Sequence, residues 1–168
     1  MPVSMYAIAV PSFQKHLHAL DGIIDKAVAY ASAKKIEPDV LLNARLYPDM
    51  FNFIRQVQGA CDFAKGAGAR LSNQPVPSHP DTEKTFAELK ERIAKTLAFL
   101  ATIKPEDMDG SEDRQITMKV GPNDMTFSGK DYLLHFALPN FYFHCTTGYG
   151  ILRHNGLEIG KRDFMRRT

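Results

Sequence analysis

Apolar residues recur every three or four positions along four stretches of the chain, the spacing that gathers them on one face of an α-helix. The first stretch runs from about Ser4 to Lys35, where Phe13, Leu17, Leu20, Ile24 and Val28 form a stripe and Lys15, Asp21, Asp25 and Lys26 fall outside it. Pro11 is placed to bend its opening turns. A short helical piece with Leu41, Leu42 and Leu46 follows. A second long helix is expected to open at Pro48, where the missing N–H costs nothing, and to carry Met50, Ile54, Val57, Cys61 and Ala64 until Gly66 and Gly68 end it.

The stretch from Ser72 to Pro80 holds three prolines and reads as a long loop between packed helices. Beyond it, Ser78 or Asp81 is expected to cap a third helix whose stripe is Phe86, Leu89, Ile93, Leu97 and Leu100, with Pro105 as its stop. The spacing of Glu88/Arg92 and Glu91/Lys95 predicts two solvent-facing pairs on adjacent turns, worth a few tenths of a kcal/mol each, roughly. Ile116, Met118 and Val120 then alternate with Thr117 and Lys119, and Gly121-Pro122-Asn123-Asp124 supplies turn chemistry, so Asp113 to Ser128 is a small hairpin or an extended excursion. The last helix is expected to begin near Asp131 or, because proline disfavours a helical predecessor, near Pro139. Phe141, Cys145, Tyr149 and Leu152 face inward on it, and Asn155-Gly156 ends it. Four apolar stripes are buried most simply against a common centre, so the expected fold is an all-α four-helix bundle forming one domain over residues 1–168.

Composition narrows the partners. The 168 residues are 44% hydrophobic and 24% charged, enough apolar material for an ordinary core. With 21 basic and 19 acidic residues the net charge is +2, and no concentrated basic surface is evident, so no nucleic-acid partner is expected. No apolar run reaches the length of about twenty residues needed to cross a bilayer. Two cysteines are too few for a disulfide scaffold, and Cys61 and Cys145 fall on apolar stripes as buried small hydrophobes; with no signal-like N-terminus, a cytoplasmic location follows.

Candidate chemistry concentrates on the last helix. Asn140 and His144 lie one turn apart and share a face with Gly148, which leaves room beside them. On the second helix Asp49 and Gln56 lie about two turns apart on roughly one face. If the two faces meet, Asp49 can bind an ion, orient His144 or accept a proton. Each also has a plain role: His144 as a buried hydrogen-bonding group, Asp49 as an acid at a helix N-terminus. Asp62, among Arg55, Lys65 and Arg70, reads as part of a charged face, and His16 and His18, two apart on a helix, diverge.

Several spaced segments, in order, carry a resemblance. Asn43-Ala44-Arg45-Leu46-Tyr47-Pro48-Asp49-Met50, Gln56-Val57-Gln58, Ala64-Lys65, Phe141-Tyr142-Phe143-His144, Ile151-Leu152-Arg153-His154-Asn155-Gly156 and Gly160-Lys161-Arg162-Asp163-Phe164 together resemble the DUF1993 family over nearly the whole chain. That family is similar to the wider DinB/YfiT-like group of four-helix bundles, which are commonly dimeric and often bind a divalent metal through three histidines; some are thiol-dependent transferases or metal-dependent hydrolases. The resemblance therefore implies a DinB-like bundle, a homodimer and a divalent-metal site. DinB-like proteins often place a His-x-x-x-His pair on the last helix; here Asn140 stands at the first position and His144 at the second. The third ligand would come from the second helix, which offers Asp49 or Gln56 and no histidine, so the usual three-histidine set is absent. An Asp49/Asn140/His144 set is a weak substitute, because an amide is a poor ligand.

Two functions compete. One is a degenerate metal- or thiol-dependent enzyme with a pocket between the second and fourth long helices: His144 would be ligand or general base, Asp49 ligand or orienter, Asn140 a polar contact, and Gln56, Gly148 and Tyr149 pocket walls. The other is a non-catalytic, small-molecule-binding or stress-related bundle that kept the fold and lost the metal.

Overall fold

Capping explains where most helices begin in the computed structural model, which describes residues 4–165. The Ser4 hydroxyl accepts the Ala7 N–H at 3.2 Å and starts α1 (Met5–Lys34). Pro11 lies within this helix, which closes on left-handed Lys35. Ile23, Ala27 and Ala31 carry the buried face through its last turns, and Val28 falls off the edge at 46% exposure. The short α2 (Pro38–Leu42) buries Leu41 and Leu42, but Leu46 lies beyond it in an exposed turn.

That turn displaces the next helix from its expected start. The Arg45 guanidinium donates to Pro48 O and Met50 O, holding Pro48 outside any helix, and α3 (Phe53–Leu71) opens only after Asn52, whose side chain accepts from Arg55 N–H. Gly66 and Gly68 do not end it. They are buried mid-helix, and a Cβ on Gly68 would sit 2.9 Å from Leu100 Cδ2 and Ile103 Cδ1, so this glycine serves close approach to the next helix. In α4 (Phe86–Thr102) the cap is Thr85, beyond both Ser78 and Asp81. Its hydroxyl accepts from Glu88 N–H while the Glu88 carboxylate accepts from Thr85 N–H, a reciprocal box. Arg92 on this helix is buried, against the solvent-facing pair expected for it, whereas Glu91 and Lys95 are exposed.

The excursion is a hairpin: β1 (Gln115–Val120) pairs antiparallel with β2 (Asn123–Ser128), placing Ile116 opposite Phe127. The chain leaves it through Gly129, where a Cβ would lie 1.8 Å from Ser111 O, a spacing that admits glycine alone. Helix starts immediately, as α5 (Gly129–Asp131) capped by Ser128, and continues through a π-helical turn at Tyr132–Ala137 into α6 (Leu138–His154). Pro139 therefore starts nothing. The wide turn absorbs it: Leu138 N–H reaches back five residues to Leu133 O, and the Asn140 side chain donates to Phe136 O at 2.8 Å. Asn155 closes α6, Gly156 turns at φ 92°, and α7 (Lys161–Met165) folds back onto α1 through the Lys26–Asp163 ion pair.

The long helices α1, α3, α4 and α6 make the four-helix bundle, and their stripes meet in its centre. Phe13, Leu17, Ile24, Phe53, Val57, Leu89, Ile93, Phe141 and Leu152 are fully buried there, each stabilising by about 1.5–3 kcal/mol relative to exposure. Phe13 meets Phe141 edge to face at 4.9 Å. Among the described residues no helix is long and apolar enough to cross a membrane.

Candidate functional site

Helices α3 and α6 pack antiparallel: Gly148 lies against Phe53, His144 against Gln56 and Gly59, and Tyr132 beside Arg70. His144 lies directly between them. A Cβ on Gly59 would fall 2.8–2.9 Å from three atoms of its imidazole, so the ring lies over bare helix backbone, stacked beside Phe63 at 5.5 Å. His144 Nδ1 is 2.8 Å from Gln56 Oε1. Gln56 Nε2 donates to Phe51 O, which turns Oε1 toward the ring and assigns Nδ1 as the donor, leaving the lone pair on Nε2. Burial, then the nearby Arg55 charge, holds the His144 pKa below its usual 6.5.

The remaining expected residues sit elsewhere. Asp49 is exposed in the turn ahead of α3. Asn140 spends its amide on Phe136 O. Tyr149 turns toward α7, donating to Ile159 O at 3.4 Å with its ring edge on Phe164. Gln56, His144 and Gly148 are thus brought together, and Asp49, Asn140 and Tyr149 are not. The divalent metal implied by the family does not fit this donor set. No three His, Cys, Asp or Glu side chains converge among the described residues, and His144 is the only strong nitrogen donor of the three expected ligands. The thiols are unbridged and buried; burial pushes Cys61 up to about 12 and Cys145 higher still, so neither is a ready nucleophile.

One turn further along α3 the chain builds a pocket of about 460 Å³. Phe63 separates it from His144; Lys65 and Arg70 from α3, Val76 and His79 from the long loop, Met118 from the hairpin and Tyr132 from the π turn close around it. The loop is held by Arg92, whose side chain is 1% exposed and reaches Asp62 at 2.8 Å, Asp81 at 2.9 Å and Glu83 at 3.0 Å. Lys65, only 6% exposed, pairs with Asp62 at 2.9 Å, and Arg55 pairs with Asp81. Gln58 donates to Glu83 at 2.8 Å. Burial works to raise the Glu83 pKa, but the hydrogen bonds from Gln58 and Arg92 outweigh it and hold the carboxyl below its usual value. His79 Nδ1 is buried with no hydrogen-bond partner among the described residues.

Asp62, Arg55, Lys65 and Arg70, which the sequence presents as a charged face, instead flank a pocket whose ion pairs bury Lys65 and Arg92, and the sequence carries a signal for this. Lys65 stands four residues after buried Cys61, and Arg92 stands three after Leu89 and four before Thr96, all on buried arcs. A cation on an apolar arc marks a buried ion pair or a ligand contact.

Comparison with known proteins agrees with this architecture. Residues 5–165 match the model of a domain of unknown function, DUF1993. The fold is similar to the crystal structure of a DinB family member protein from Shewanella denitrificans, with a TM-score of 0.92 and 45% identity over 98% of this chain and 93% of that one. A search of curated proteins finds no match. With a family model spanning nearly the whole described chain and a DinB relative superposing throughout, the protein belongs to the DUF1993 family, within the DinB/YfiT-like superfamily.

Proposed function

We propose that this protein is a non-catalytic small-molecule-binding bundle, cytoplasmic and homodimeric, whose ligand occupies the pocket beside Phe63 between α3, the long loop and the hairpin. The pocket carries this reading: at about 460 Å³ it has the size of a metabolite site and combines apolar walls with a few convergent polar groups. The unsatisfied His79 Nδ1 supports it, since a buried polar atom without a partner is costly unless something else completes it. Exposed Tyr47, Phe51 and Phe143 offer apolar surface for self-association, which light scattering on the eluting protein measures directly. A ligand-observed NMR screen of metabolite-sized fragments tests the pocket. Hits are expected on the native protein and are expected to vanish in Val76→Trp, which fills the mouth; hits indifferent to that substitution, or none at all, overturn the reading.

A second reading rests on one observation. With its Nδ1–H committed to Gln56, His144 holds an Nε2 lone pair of the kind a general base or ligand needs. Metal analysis of protein purified without a histidine tag, together with the ligand profile of His144→Ala, tests this degenerate-enzyme alternative; no metal and an unchanged profile retire it.

A further inference from the structure

Resting on the pocket reading above, we infer that the ligand is a small organic monoanion, a carboxylate bound at Arg70 and Lys65 with its apolar body against Phe63 and Met118. The pairing of the charges at the pocket is the first ground. Lys65, Arg70, Asp62 and Asp81 line the pocket, and Arg55, Arg92 and Glu83 extend the ion pairs behind its wall. All three carboxylates are paired. Arg70 alone among these cations has no carboxylate partner among the described residues, and it donates only to the Tyr132 hydroxyl at 3.3 Å. Arg70 therefore presents to the pocket a guanidinium that no carboxylate among the described residues engages, and a ligand with one negative charge matches it.

Donor geometry is the second ground. The Lys65 ammonium is buried and spends one of its three N–H groups on Asp62, leaving donors for an incoming oxygen. Tyr132 accepts from Arg70, which frees its own O–H to donate, and burial holds the phenol pKa above its usual 10 so that the proton stays on. The unpartnered His79 Nδ1 lies in the same wall. Guanidinium, ammonium and phenol lining one pocket are acceptor-seeking, and a carboxylate supplies two charged acceptors. A cationic ligand would meet Asp62 and Asp81 already neutralised and would face Arg70.

The test is calorimetric and NMR titration of the full chain with benzoate, phenylacetate and hexanoate, each set against its neutral amide and the corresponding alkyl- or arylammonium. The carboxylates are expected to bind at least about tenfold more tightly than the amides, the ammonium compounds not at all, and Arg70→Gln to weaken carboxylate binding about 10- to 100-fold while leaving amide binding unchanged. Arg70→Lys, which keeps the charge, is expected to retain most of the affinity and so separates charge loss from a packing defect at Tyr132. Equal binding of acids and amides, with shifts at Phe63 and Met118, overturns the anion assignment and leaves the pocket reading standing. Absence of binding by every member overturns both. Preference for the ammonium compounds, or indifference to Arg70→Gln, overturns the anion assignment alone.

Discussion

Replacing Gly59 by alanine sets two well-understood effects against each other. In a helix interior the change should stabilise by about 1 kcal/mol through backbone propensity. Here the new methyl would lie 2.8 Å from His144 Cε1 and Nε2 and 2.9 Å from Nδ1, so the ring must move off by roughly 0.7 Å to reach an ordinary contact. Such a shift spoils the 2.8 Å bond to Gln56 and the stacking beside Phe63. A buried acceptor left unpaired costs about 1–3 kcal/mol, and forced overpacking costs a similar amount. The clash wins, and Gly59→Ala is expected to destabilise by about 1–3 kcal/mol, lowering Tm by about 2–10 °C for a chain of this size. In a His144→Ala background the obstacle is gone, and the same Gly59→Ala change should stabilise by about 1 kcal/mol. Urea denaturation followed by circular dichroism closes the cycle of the four proteins. A Gly59→Ala protein more stable than the native one would refute the packing argument, and additive effects would show that the two residues do not touch.

Three further outcomes follow from the same contacts. Arg92→Leu leaves the Glu83 carboxylate with Gln58 but no cation and releases the loop from α4, and a loss of roughly 3 kcal/mol is expected, moderated because Asp62 and Asp81 keep contact with water; chemical denaturation reads it, and unchanged stability would contradict the ion network. His144 and His16 both have lowered pKa values, first through burial, so the unfolded chain takes up their protons first: stability is full above pH 6.5 and falls as pH drops through their depressed folded values. Glu83, also lowered, adds a second loss that begins below 4.5 and runs down through its depressed folded value, and thermal melts carried well below pH 4.5 should show both steps, the first shallower in His144→Gln. Cys61 and Cys145 should resist a thiol reagent at pH 8 in the folded protein and react promptly in denaturant; fast native labelling would contradict their burial.

Periodicity carried the bundle because burial of a stripe is a local property. Phe13 through Ile24, Phe86 through Leu100 and Phe141 through Leu152 announced their helices, and the Asn155-Gly156 stop was legible because a left-handed turn needs such residues. The start of α3 was not, since Arg45 holds Pro48 in a turn through contacts that spacing does not reveal. Of the two starts open for the last helix, the one near Asp131 holds and the one at Pro139 does not, because a π turn accommodates the proline and nothing in a simple 3.6-residue count anticipates one. The approach of His144 to Gln56 and Gly148 was readable by projecting two helices. Asp49 escaped because it is not on a helix at all. The pocket charges stayed hidden for a different reason: Asp62, Glu83 and Arg92 meet only when the loop folds back, and the Glu88/Arg92 spacing suggested a surface pair.

The wide turn at Tyr132–Ala137 amounts to one surplus residue in an otherwise continuous rod. Each residue of an α-helix advances about 100° around the axis, so trimming that surplus would swing everything before it by nearly a third of a revolution while leaving His144 in place. Tyr132 would lose Arg70, and a neighbouring side chain would inherit its wall. A single-codon insertion or deletion is thus enough to re-phase one chamber against the other, a cheaper route to a new ligand than rebuilding either.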